Sequence, residues 1–196
     1  MTLRRLVGPA LLACVVALAV AGCSGGDQTQ AVGGDGQGYV AGDGSVTTIP
    51  VADRQPAPAL RGTTLDGSAL DLASMRGKVV VLNVWGSWCA DCRSEAKALE
   101  AVYRQTRSHG VEFVGINTRD NSAGAQAYER TFGISYPSLV DDGGSLLLAF
   151  SDTVPPSAIP STLVIDRQGR VAARTIGATT FTDLRSVVLD VANEPS

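Results

Sequence analysis

The stretch that most constrains this chain is Lys78-Val-Val-Val-Leu-Asn-Val-Trp85, followed at once by Gly86-Ser-Trp88-Cys89-Ala-Asp-Cys92. Beyond Lys78 the first part is short, Val-rich and apolar except for Asn83, the pattern of a strand buried on both faces. After it, Ala96, Leu99, Val102 and Tyr103 recur at helical spacing within Cys92 to Arg107. Cys89 therefore falls in the turn from strand to helix. The thiolate is the reactive form of cysteine, and a helix N-terminus, with its unpaired N–H groups and partial positive charge, favours that anion. Cys89 is the expected nucleophile. Cys92, one helical turn later, is expected to lie deeper and to close a disulfide by displacing a bound substrate.

The other cysteines leave this pair alone for chemistry. Cys14 and Cys23 lie in the first 23 residues, so no framework of structural disulfides competes with Cys89 and Cys92. No metal site is expected, because a zinc centre needs four ligands and His109 is the single histidine. His109 itself belongs to Ser108-His109-Gly110, a helix stop, and reads as a solvated loop residue. The net charge of −3 becomes more negative if Arg4 and Arg5 leave with a leader, which argues against nucleic acid as a partner.

Met1 to Ala21 has a basic start and an apolar run from Leu6 to Ala21 broken only by Gly8-Pro9, a secretory signal pattern. Its end, Val20-Ala21-Gly22-Cys23, resembles a bacterial lipobox, in which the cysteine is lipidated and becomes the first mature residue. A retained membrane anchor is the alternative, although the run is short for a span of about 20 residues. Either places the remaining chain outside the cytoplasm. Ser24 to about Asp53 is rich in Gly, Asp, Gln and Ser, and reads as a disordered tether. The expected organisation is thus a signal peptide at 1–22, lipid attachment and tether at 23–53, and one folded domain at 54–196.

Within that domain, Pro56 to Leu72 reads as two short strands joined at Asp66-Gly67, and Leu72 to Met75 as one helical turn stopped by Gly77. Val111 to Asn117 is a strand, and Ala125 to Phe132 a helix ended by Gly133. Tyr136 to Val140 is a short strand, Ser145 to Phe150 a helix. Thr162 to Asp166 and Val171 to Ile176 flank a four-residue turn at 167–170. In the last helix Leu184, Val187, Val188 and Val191 form one stripe, with Thr180 or Thr182 placed to cap it. The order implies an α/β domain with one central sheet and helices on both sides.

Trp-Cys-X-X-Cys after a Val-rich strand resembles the thioredoxin fold. The longer run Arg76 to Cys89 resembles the envelope-anchored TlpA-like thiol-disulfide oxidoreductases, including those that serve cytochrome c maturation. The resemblance continues through Val111-Glu-Phe-Val-Gly-Ile-Asn117 and Ile159-Pro-Ser-Thr-Leu-Val-Ile-Asp166, and covers roughly Pro56 to Ala192. It implies a central mixed sheet with an N-terminal hairpin and an internal αβ insertion. It further implies a cis-proline at Pro160, with Ile159 offering backbone hydrogen bonds to an extended substrate and Trp88 shielding the disulfide. At Glu95, three residues after Cys92, the family commonly carries a glutamate implicated in proton transfer; an acidic residue early in a helix is also favourable in its own right. Asn83 stands where thioredoxins use a buried aspartate, so proton handling from that strand position is not expected. Asp91 and Lys97 occupy positions where the family most often has proline.

The activity so implied is reduction of protein disulfides, with apocytochrome c as the suggested substrate class. A membrane thiol reductase would recharge the pair, since extracytoplasmic space is oxidising. No cofactor is expected beyond the Cys89–Cys92 pair, nor more than a lipid-anchored monomer. A disulfide-forming oxidant on the same fold, or a metal-delivery or docking module without turnover, are the alternatives.

Overall fold

The computed structural model describes residues 42–195. The leader, Cys14, Cys23 and the first part of the expected tether lie outside the described residues.

The central sheet grows from β4 (Val79–Trp85), whose seven residues are all buried. The parallel partner of β4 is β5 (Val111–Thr118), and its antiparallel partner is β7 (Ser161–Ile165). On the β5 side β6 (Ser138–Asp141) adds a parallel edge; on the other, β8 (Val171–Ile176) pairs with β7. A three-residue strand, β1 (Val46–Thr48), closes the β8 edge, giving the order β1-β8-β7-β4-β5-β6. The sheet is mixed, as expected for a thioredoxin-like fold.

Alternation along β4 divides the core. Val79 and Val81 pack with Leu99 and Val102 of helix α1 (Ala90–Thr106) and with Leu184, Val187 and Val188 of helix α4 (Phe181–Ala192). Val80, Leu82 and Val84 join a second cluster that includes Leu60, Leu65, Leu147 and Phe150. Both faces of the sheet are therefore covered, which is why β4 carries no alternating polar positions. Asn83 is the exception, and its surroundings matter below. Thr180 caps α4 by accepting from Asp183 N–H at 3.2 Å.

The hairpin forms from β2 (Arg61–Thr63) and β3 (Ala69–Asp71), with Gly67 at φ 87° in the turn that Asp66-Gly67 requires. The insertion consists of helix α2 (Ser122–Phe132), β6 and the single turn α3 (Ser145–Leu148). Asn121 caps α2 by accepting from Gly124 N–H, and Gly133 ends it in the left-handed region at φ 69°.

The last residues of the expected tether are part of the fold. Within 23–53, residues 46–48 form β1 and Val51–Asp53 a 3-10 turn. Just beyond, Arg54 is buried and donates to Glu194 at 2.6 and 2.7 Å, to Asp166 at 3.2 Å and to the Ile49 carbonyl at 3.0 Å. These ties fasten the segment to the far end of the chain. The flanking glycines and polar residues mask a β-branched triplet that pairs only with a strand distant in sequence. Among the described residues no helix is long and apolar enough to cross a membrane.

Candidate active site

Cys89 is the N-cap residue of α1, with extended backbone at φ −83°, ψ 119°, and its sulfur accepts from the Cys92 N–H at 3.1 Å. Cys89 and Cys92 are joined as a disulfide, with Cα atoms 5.3 Å apart. The strand-to-helix turn thus sits where the spacing predicted, and a thiolate at Cys89 would meet a backbone donor and the positive end of a 17-residue helix. Depth does not separate the two cysteines as expected, since Cys89 is 1% and Cys92 0% exposed. Both sulfurs belong to the apolar cluster that also holds Ile159, Val154 and Tyr128, with Trp88 packed against it. Their distinction rests on Cys89 alone standing at the cap.

Ahead of the pair, the Gly86-Ser87-Trp88 loop is fixed by a residue that the sequence did not single out. The Asp120 carboxylate accepts from Ser87 N–H at 2.5 Å, Ser87 Oγ at 2.8 Å, Asn117 Nδ2 at 3.0 Å and Asn121 N–H at 2.8 Å. Charge-assisted bonds of this kind are about twice as strong as neutral ones. They join the end of β5 to the active-site loop. Next to Asp120, the Arg119 carbonyl accepts from Trp88 Nε1 at 3.1 Å, and Arg119 itself has φ 50°. The half-buried Trp88 is therefore held at its polar edge, beside the disulfide that it was expected to shield.

Behind the pair, Glu95 is 2% exposed. Its Oε1 accepts from Asn83 Nδ2 at 2.9 Å and its Oε2 from Thr179 N–H at 2.8 Å. Burial pushes its pKa from 4.5 up to about 7; the bonds from Thr179 and Asn83 oppose that rise, and the charge of Asp91 adds to it. Glu95 is three residues beyond Cys92 on the same helix. Asn83 also donates to Thr162 Oγ1 at 3.1 Å, so the strand position where thioredoxins use an aspartate here serves to hold the helix carboxylate. On the side of α2, Tyr128 donates to the Cys92 carbonyl at 2.7 Å and stacks on Trp85, ring centroids 4.3 Å apart.

The Ile159–Pro160 peptide bond is cis, as the resemblance implied. Ile159 is 0% exposed as a whole residue, so its side chain is core and the backbone expected to meet a substrate is covered in the disulfide form. The Pro160 carbonyl accepts from Gly177 N–H at 2.9 Å, which ties this loop to the loop between β8 and α4. The exposed His109 ends a 3-10 turn beyond α1, at the opposite end of the helix from Cys89. Among the described residues no group of His, Cys, Asp or Glu is arranged to hold a metal ion.

Asn83, Asp120, Tyr128 and Thr179 are what sequence reasoning missed. Asn83 alone gave a signal, as a polar residue in an otherwise apolar strand. The other three act through contacts that no local pattern encodes.

A disulfide at the N-cap of the helix that follows the central strand, opposite a cis-proline loop, defines a thioredoxin-like thiol-disulfide oxidoreductase. The match to the Redoxin family model extends over residues 50–188, and the chain belongs to that family. It is similar to the thiol-disulfide oxidoreductase ResA of Geobacillus kaustophilus, with 31% identity over 68% of this chain and 75% of that one. Among solved structures, a secreted thiol-disulfide isomerase from Corynebacterium glutamicum is 34% identical over 80% of this chain and 97% of its own, with a TM-score of 0.72. A DsbF homologue from Corynebacterium diphtheriae is 34% identical over 78% and 96%, with a TM-score of 0.67.

Proposed function

We propose that the protein is an extracytoplasmic, lipid-anchored reductase of protein disulfides. The observation that carries this reading is the carboxylate of Glu95, enclosed one helical turn beyond Cys92 with a pKa near 7. A general base works best when its pKa lies near the operating pH.

In the proposed cycle, the Cys89 thiolate attacks one sulfur of a substrate disulfide. The substrate's other sulfur leaves as a thiolate and takes up a proton from water. Cys89 now holds the substrate as a mixed disulfide. The Cys92 thiol passes its proton to Glu95 and attacks Cys89 Sγ, expelling the second substrate sulfur. Two electrons have moved to the substrate, and Cys89–Cys92 is oxidised. A membrane thiol reductase returns the pair to the dithiol. Half-buried Trp88 forms a wall against which an extended peptide lies, with the buried Ile159–Pro160 loop behind it.

The acidic residues beside the pair favour the reductase direction, working against the helix N-terminus that stabilises the Cys89 thiolate. Asp91 in the first turn and Glu95 in the next place carboxylates beside the pair. Negative charge there disfavours thiolates, stabilises the disulfide relative to the dithiol and makes the reduced enzyme the better donor. The relatives named ResA and the resemblance to cytochrome c maturation proteins favour apocytochrome c as substrate, and the secreted Corynebacterium relative supports a place outside the cytoplasm. Attachment through Cys23 is part of the same proposal.

The test is the reduction potential of the Cys89/Cys92 couple, read by thiol trapping in dithiol buffers. A value near that of thioredoxin, about −270 mV, supports the reductase; one near about −120 mV assigns disulfide formation instead. Cys92→Ser is expected to accumulate substrate on Cys89 as mixed disulfides, and none in cells would count against turnover.

A further inference from the structure

The loop from Ile176 to Thr180 touches the active site twice. Gly177 N–H donates to the Pro160 carbonyl at 2.9 Å, and two residues on, Thr179 N–H donates to Glu95 Oε2 at 2.8 Å. The other side of this loop is covered by the start of the described chain. Gly44 N–H donates to the Ile176 carbonyl at 2.9 Å, and the approach is backbone on backbone. A Cβ at Gly42 would run into the Ile176 carbonyl, one at Gly44 into the Ala178 carbonyl, and one at Gly177 into the Gly42 carbonyl, with Gly44 N only 2.8 Å away. Gly44 and Gly177 also have φ of 75° and 95°, a region that side chains rarely tolerate. Three glycines meet where only glycine fits.

The topology explains why they meet at the catalytic end. Strand β8 is antiparallel to β7, which is antiparallel to β4, so Ile176 ends on the same side of the sheet as Trp85. The antiparallel strand β1 therefore begins there.

We propose that residues 42–44 act as a positioning strap, which holds the Gly177–Thr179 loop against Pro160 and so keeps the Thr179 N–H on the Glu95 carboxylate. No residue of the strap is bonded to the cysteines. It acts through Thr179, and its importance for turnover rests on Glu95 being the proton acceptor proposed above. The charged or titratable groups that reach Glu95 are Asp91 on α1, Tyr128 on α2 and Tyr136 before β6, and none of them is hydrogen-bonded to residues 42–44. A change at the strap thus reaches Glu95 by way of the loop.

The experiment follows the Glu95 carboxyl by carbon NMR as a function of pH, in the oxidised full-length chain in detergent. The variants are Gly42→Ala, Gly44→Ala and Gly177→Ala, with Gly143→Ala as a control, since a Cβ there meets nothing within 4 Å. Gly42→Ala precedes β1 and can displace the strap with β1 and the Arg54 ties left in place. Because a hydrogen bond to the charged form lowers a carboxyl pKa, losing the Thr179 bond is expected to raise the Glu95 midpoint by about 0.5 pH unit or more. The control is expected to stay at the wild-type value. An unchanged midpoint in Gly42→Ala overturns the strap, whatever the other variants do. Glu95→Gln distinguishes the two readings. If it leaves the pH profile of disulfide reduction unaltered, the proton-acceptor role fails, while the midpoint still decides the strap.

Discussion

Glu95→Gln replaces a buried acid with a neutral group of the same shape, and its effect on stability must depend on pH. In the oxidised protein the cysteines do not titrate, so the carboxyl can be followed without them. Its folded pKa is about 7 against an ordinary 4.5, and burial is the principal cause. Between these values the native state binds more protons than the unfolded chain. Stability from this group is therefore fully present below about pH 4.5 and is lost as pH rises through about 7. At 1.36 kcal/mol per pH unit the loss is about 3 kcal/mol, with a plateau above it. Glutamine cannot lose a proton. It also has one acceptor oxygen where the carboxylate offered one to Asn83 and another to Thr179, so a donor is left unpaired at a cost of about 1–3 kcal/mol that does not vary with pH. The assay is urea unfolding of both proteins from pH 4.5 to 8. The wild type is expected to lose about 3 kcal/mol relative to the variant across that range, whatever the constant offset. Glu129, which burial also raises, is common to both proteins and cancels in the difference. Parallel curves would refute the argument, for they would mean that Glu95 enters the fold already ionised.

Two further outcomes follow from the ties around the site. Asp120→Ala removes the acceptor of four hydrogen bonds and is expected to cost about 2 kcal/mol in urea unfolding while shifting Trp88 fluorescence, because the Ser87 loop and the neighbouring Arg119 carbonyl lose their hold. Arg54→Ala leaves Glu194 without its bidentate partner and Asp166 with Arg170 alone; a loss of about 3 kcal/mol is expected, with faster amide exchange in β1, and unchanged exchange there would contradict the role given to this ion pair.

How much of this was legible beforehand depended on how local the physics is. The hairpin at Asp66-Gly67, the stripe of α4, its Thr180 cap and the strand-to-helix turn at Cys89 are set by spacing and by the conformational preferences of a few adjacent residues, and they stand where expected. The edges of strands and helices moved by one to three residues, most at the start of α2. β1 was missed because Val46-Thr-Thr48 is too short to show a period, and its strand character comes from hydrogen bonds to β8.

The amino-acid sequence by itself determined the redox pair, its place at a helix N-terminus and the αβ order that builds the sheet, since each depends on neighbours along the chain. Only the tertiary structure decided what Glu95 is. An acid early in a helix is favourable in water as an anion; here folding brings Asn83 from β4 and Thr179 from beyond β8 onto its two oxygens and removes water around them. Desolvation and hydrogen bonding depend on what surrounds a group in space, and the residues that surround this one are 12 and 84 positions away.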